Sequence, residues 1–288
     1  PYAAARIDVG SDHGLAARLE GNGAIGATQK APEYYLGNTA SKTWNVGGAV
    51  AYKWGGGTAR ISVHHHDFVS GVFYGLSHGT PDEFLAQLAA ERPVTADLWK
   101  STYDIDRPYQ DVTHTIGIMQ TELDGDWGSI EAKYAFQMNL RQEYEHARRS
   151  TSSPQYDFTL RTHSVDTLYS HPTTSLTIGD LEGGLGLQAG FQENVYQGWS
   201  LIPNYRSFSG GIFAYERLSL DRFDLEAGAR ADALGRAAYL RDNDYDAHIR
   251  RETLDPSSCE QQGEKARCPA DYGAFSFSLG TLVHVVPQ

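Results

Sequence analysis

The sequence predicts an all-β protein, an antiparallel transmembrane β-barrel with about 11 of its strands present. Three observations carry that prediction. Apolar residues recur at every second position along much of the chain, short turns alternate with long connections, and no apolar run approaches the roughly 18 to 20 residues of a spanning helix. A barrel strand needs only about 9 to 11 residues and one apolar face, so negative mean hydropathy is no obstacle to it.

The alternation is clearest in "WGSIEAKYAFQMNLRQEYE" (127–145). Ile130, Ala132, Tyr134, Phe136, Met138 and Leu140 share one face of an extended chain, and Glu131, Lys133, Gln137, Asn139 and Arg141 share the other. In 181–192, Leu181, Leu185, Leu187, Ala189 and Phe191 oppose Glu182, Gln188 and Gln192. In 223–232, Phe223, Leu225, Ala227, Ala229 and Ala231 oppose Asp224, Glu226, Arg230 and Asp232, more charge than a compact core could bury unpaired. Val46, Val50, Tyr52 and Trp54, and Phe275, Phe277, Leu279 and Val283, repeat the pattern. Strands are expected near 2–9, 13–22, 43–54, 58–67, 110–123, 127–144, 157–170, 175–193, 206–220, 223–240 and 272–286.

One such strand fits any half-exposed soluble sheet. The connections decide between the two. Tight turns rich in Gly, Pro, Asn or Asp fall at 10–13, 54–58, 124–127, 170–175 and 220–223. Every other connection is predicted long, at roughly 22–42, 67–109, 145–156, 194–205 and 241–271. Outer-membrane barrels have short periplasmic turns and long extracellular loops, so the apolar face is expected to meet lipid and the charged face a wet lumen. Trp127 and Tyr144 then belong near the two interfacial girdles. Within the long connection 67–109, "TPDEFLAQLAAERP" (80–93) predicts a short helix capped by Thr80, with Glu83 three residues later.

Composition removes other classes. A net charge of −12 and pI near 5.3 argue against a nucleic acid partner, which needs clustered Lys and Arg. The first residues, "PYAAARIDVG", lack the charged and apolar regions of a signal peptide, so the chain is expected to start after processing or within a longer polypeptide.

Several stretches resemble consecutive pieces of the barrel of TonB-dependent outer-membrane receptors. They are "DRPYQDVTHTIG" (106–117), "KYAFQMNLRQEYEHARR" (133–149), "TLRTHSVDTLYSH" (159–171), "LIPNYRSFSGGIFAYER" (201–217) and "LEAGARAD" (225–232). The resemblance implies a barrel of about 22 strands around an N-terminal plug, importing siderophores, haem, metals or other nutrients with energy from the inner-membrane TonB complex. Residues 1–288 would then be a partial barrel domain, half of the strands, with plug and closing strands outside this chain. The implied partners are outer-membrane lipid, the plug, the TonB complex through that plug, and a small-molecule or metal-chelate ligand. The implied place is the bacterial outer membrane.

Candidate residues follow from the polar face. Glu131, Lys133, Arg141, Glu182, Gln188, Arg230 and Asp232 are expected to face the lumen, toward either a plug or a substrate. His64 and His66, with His78 downstream, are candidate metal ligands, while His65 should point the other way. Cys259 and Cys268 are the only cysteines and are expected to form a disulfide on the extracellular side, since such a chain crosses an oxidising periplasm. No catalytic constellation stands out, and no cofactor is expected. "THSVD" (162–166) lies along one strand. The rival readings are a smaller outer-membrane barrel enzyme of protease or lipase type and a soluble all-β binding domain.

Overall fold

A computed structural model describes residues 1–73, 80–93, 96–145, 152–241, 243, 246, 250 and 255–285. One antiparallel sheet holds every strand. In chain order these are β1 Tyr2–Gly10, β2 Leu15–Gly26, β3 Ser41–Trp54, β4 Gly57–Gly71, β5 Tyr109–Gly125, β6 Gly128–Tyr144, β7 Tyr156–Ser170, β8 Thr174–Leu176, β9 Gly179–Gly198, β10 Asn204–Ser219, β11 Phe223–Arg241, β12 Glu260–Gln262 and β13 Lys265–Val283. Eleven are long, and β8 and β12 are three-residue pieces. Each long strand pairs with its neighbour in sequence, so the sheet is a plain meander, β8 being set against the start of β9. The sheet is open. Among the described residues β1 pairs only with β2, and at the other side β13 pairs with β11 along its length and with β12 over three positions.

The expected strands all form; β2 and β4 each run four residues further than expected, to Gly26 and Gly71, and three other boundaries are corrected. The strand expected from 175 is broken, because Thr174–Leu176 turns back on Gly179–Leu181 as a small hairpin, with Gly179 at φ 159°. The connection expected at 194–205 shrinks to 199–203, because β9 runs on to Gly198, where φ 79° suits glycine and ends the ladder. The last strand starts at Lys265 rather than 272. "KARCPAD" lacks an apolar face, so only its pairing with Arg241 through Gly235 reveals it as strand.

Register makes the two faces continuous. One unbroken row of partners runs Val50, Ile61, Met119, Tyr134, Val165 and Ala189 across β3 to β9. The same face carries Leu19, Leu187, Ile212 and, on β13, Phe275, Phe277 and Leu279, the last 81% exposed. Of the six apolar residues in β6, Tyr134 is exposed and the other five are half-buried; none lies in a core. The buried apolar set is correspondingly thin: Ala40, Ala96, Ala135, Ala237, Ala266, Phe158, Tyr196 and Leu240 among the described residues. Five of these are alanines. A soluble sandwich would bury its large aliphatics between two sheets. Here the largest fully buried side chain is Asp224.

The long connections all leave one end of the sheet, and those before β3, β5 and β7 are tied to one another. Asn38, at φ 58°, donates to the carbonyls of Val72 and Pro108 and accepts from the Asp106 amide. Arg107 donates to Gln155 Oε1 and lies 5.1 Å over the Tyr144 ring. The helix α1, Pro81–Ala89, forms where expected, with a complete Thr80–Glu83 capping box. Trp127 and Tyr144 bracket β6, Trp127 beside Tyr169 at the short-turn end and Tyr144 stacked 4.3 Å from Tyr109 at the other.

Candidate functional site

The polar face is built by the odd residues of β6 and the even residues of β7, β9 and β11. Pairing brings Lys133, Asp166, Gln188 and Asp232 into one row through Gly211, and Glu131 and Arg230 into the adjacent row through Leu168, Gly186 and Phe213. Five of the seven residues expected on this face are thereby joined with Gln188 at their centre. Its amide donates to Asp166 Oδ1 at 2.9 Å. Arg230 grips Asp232 with Nε at 2.7 Å from Oδ2 and Nη2 at 2.6 Å from Oδ1, a bidentate pair, and its guanidinium lies 5.7 Å over the Phe213 ring. Glycine makes the room. A Cβ at Gly211 would sit 2.5 Å from Asp232 Oδ1, and one at Gly186 would overlap the Phe213 ring.

Two hollows meet at this cluster. The larger, 540 Å³, is lined by Asp166, Gln188, Gln192, Arg230, Asp232 and Tyr272 among others. The smaller, 160 Å³, is lined by Glu131, Lys133, Asp166, Gln188 and Phe213. Their walls offer carboxylates, amide groups and two cations, suited to hydrogen bonding a polar ligand or a polar protein surface.

Two expected residues stand apart. Arg141 lies eight positions along β6 from Lys133, about 26 Å at 3.3 Å per residue, and bonds Glu143 at 2.6 Å. Glu182 sits at the short-turn end, accepting from Thr173. Its register partner Arg217 is bonded to Asp224, with Glu226 3.7 Å away.

His64 and His66 share the polar face and His65 points to the other, where it bonds Thr115. His66 faces Asn45, and His64 leans over Gly47 with Nδ1 3.8 Å from Glu20. His78 lies outside the described residues. Among the described residues no three His, Cys, Asp or Glu groups stand close enough together to hold a metal ion. Alternation alone did not single out His114, which joins Asn22, Asn45, His66 and Asn139 in one row, or Asp166; both stand at polar-face positions of their strands, the signal that marks them. In "THSVD" the pleat places Ser164 and Asp166 on one face and His163 on the other, so they form no triad.

Cys259 and Cys268 are bonded, with S–S 2.09 Å and Cα–Cα 4.2 Å. They extend the β12–β13 hairpin by one rung, since Glu260 pairs with Arg267. The staple lies at the end of the long connections and clasps a hairpin over the top of β13.

No family model and no curated protein matches the sequence. Solved structures do match. The siderophore receptor PiuA from Acinetobacter baumannii has TM-score 0.67 at 12% identity, over 99% of this chain and 45% of that one. The ferric-catecholate import receptor Fiu from E. coli K12 in its open form has TM-score 0.64 at 14% identity, over 99% and 50%. The haemophore receptor HasR from Serratia marcescens, in complex with its haemophore and haem, has TM-score 0.58 at 13% identity, over 96% and 38%. The fold is that of outer-membrane receptor barrels. At such identities the likeness is one of fold, and the chain spans half or less of the receptors it matches. In the receptor-barrel fold the exposed apolar face has a physical partner, because a membrane barrel presents an outward apolar band and a polar interior.

Proposed function

We propose that this chain is part of the β-barrel of a TonB-dependent receptor in the bacterial outer membrane, importing a metal chelate or another small nutrient. One observation carries the reading: a single sheet with a continuous exposed apolar face, a charged opposite face and two open edges, all in the receptor-barrel fold. Unpaired edges cost several kcal/mol per group in lipid, so β1 and β13 call for further strands. Eleven long strands are half of the 22 that the resemblance implies, and residues 1–288 act as one partial domain.

In this reading Glu131, Lys133, Gln188, Arg230 and Asp232, together with Asp166, face the lumen, where a plug domain from outside residues 1–288 fills most of the space and the ligand passes beside it. TonB acts through that plug. The structural neighbours are named for ferric chelates and haem, which makes a chelated metal the first substrate class to try.

Adjacent tryptophan substitutions test the reading. Met119→Trp lies on the apolar face and Gln120→Trp on the polar one. In vesicles of brominated phospholipid the first should lose most of its added fluorescence and the second little. Equal quenching, or a chain that stays soluble without detergent, contradicts the proposal.

A further inference from the structure

The outward face is not apolar throughout. On β7 it carries Arg161 and, ten residues on (171 − 161 = 10), His171 just past the strand end; on β10 it carries Arg206 and, again ten residues on (216 − 206 = 10), Glu216. His171 Nε2 lies 3.1 Å from Glu216 Oε2 at the short-turn end. At the opposite end Arg161, Glu193 and Arg206 are consecutive register partners, Glu193 accepting from Arg206 at 2.7 Å and from Arg161 at 3.5 Å. Ten residues at about 3.3 Å each, inclined by about 40°, rise about 25 Å, the height of a barrel's apolar band. The two charged groups therefore bracket the hydrocarbon, and the arginine group stands at the outer-leaflet headgroups.

An arginine costs about 2 to 4 kcal/mol at the midplane of the lipid face and about 0 to 1 near the interface, so this depth tolerates it. Tolerance does not explain the arrangement. One carboxylate lies between two guanidinium groups and neutralises only one of them. Glu193 is 18% exposed, whereas Arg161 and Arg206 are 48% and 59% exposed, with donors left over. Directly below, Phe136, His163, Phe191 and Phe208 form a row that acyl chains can cover.

We propose that Arg161 and Arg206 form a binding site for the phosphate of an outer-leaflet lipid. Each guanidinium turns N–H donors to the phosphate oxygens, Glu193 lies between the two forks and offsets one of their charges, and the aromatic row receives the lipid's chains. The inference rests on the membrane reading above. Its ligand class is a phosphorylated, multiply acylated headgroup rather than free phosphate, because only a lipid occupies both the cationic and the aromatic level.

The test is a titration of the detergent-solubilised chain with bisphosphorylated lipid A, with the same lipid stripped of phosphate, and with inorganic phosphate, read as lipid adducts by native mass spectrometry. The expected result is binding of the phosphorylated lipid at least tenfold tighter than of the stripped one, with millimolar phosphate failing to displace it. The double variant R161A/R206A should lose that preference, and Arg60→Ala, which removes one cation from the polar face of β4, should keep it. Glu193→Gln should tighten binding severalfold, a gain that misfolding cannot imitate. Equal binding of both lipids, displacement by inorganic phosphate, or weaker binding by Glu193→Gln overturns the site. If the chain enters detergent but shows no phosphate preference, the site alone falls; if it stays in water without detergent, the membrane reading falls with it.

Discussion

Leu187 and Gln188 are neighbours in β9 with opposite duties, and replacing each by arginine separates a membrane sheet from a soluble one. Leu187 pairs with Ile212 on β10, four residues from Glu216 and six from Arg206 (216 − 212 = 4; 212 − 206 = 6). With the same rise and inclination, Leu187 stands about 10 Å from one charged boundary and about 15 Å from the other, near the middle of the band. Leu187→Arg should therefore destabilise the sheet by about 2 to 4 kcal/mol in lipid. Val195→Arg, two residues beyond Glu193, should cost about 0 to 1 kcal/mol by the same depth rule. Gln188→Arg on the polar face gives up the hydrogen bond to Asp166 but sets a cation beside that carboxylate, so it should stay near-neutral, within about 1 kcal/mol. In a soluble protein Leu187, already 53% exposed, would also fall in that near-neutral class. Guanidinium unfolding in phospholipid vesicles, followed by tryptophan fluorescence, measures all three. A cost for Leu187→Arg no larger than that for Gln188→Arg would refute the assignment of faces.

Two further outcomes follow from the ends of the sheet. Reducing the Cys259–Cys268 bond opens a ring of ten residues (268 − 259 + 1 = 10), which constrains the unfolded chain by about 2 to 3 kcal/mol. Amides of 259–267 should exchange faster while those of β5 to β9 stay protected, and unchanged exchange in the hairpin would show that the staple orders nothing. His171 bonds the Pro172 carbonyl and then Glu216, and both favour its protonated form, raising its pKa above the ordinary imidazole value of about 6.5. This contribution to stability is present below pH 6.5 and is lost as pH climbs through the raised value. An NMR titration of His171 should show the shift, and Glu216→Gln should reduce it; an unshifted imidazole counts against the pair.

Much of this protein was legible in its sequence. Period-two alternation located all 11 long strands and grouped Glu131, Lys133, Arg141, Glu182, Gln188, Arg230 and Asp232 on one face, because a strand's pleat sends successive side chains to opposite sides. Thr80 and Glu83 announced α1 through local hydrogen bonds that need no tertiary partner. The start of β13 was illegible, since Lys265 to Asp271 carries no apolar alternation and becomes strand only by pairing with β11. The break at Ile178 and the extension of β9 to Gly198 were hidden for the same reason, depending on which residues lie across the ladder.

The site divides along the same line. Residue type and parity determined that Glu131, Lys133, Gln188, Arg230 and Asp232 share a polar face. Only register decided that they meet, that Asp166 belongs among them, that Arg141 and Glu182 lie at opposite ends, and that Arg161, Glu193 and Arg206 stand side by side on the other face. Alternation is a property of one strand, carried by its covalent geometry. Adjacency across strands is set by turn length and by the pairing of backbone groups from distant parts of the chain, and it exists only once the sheet has formed.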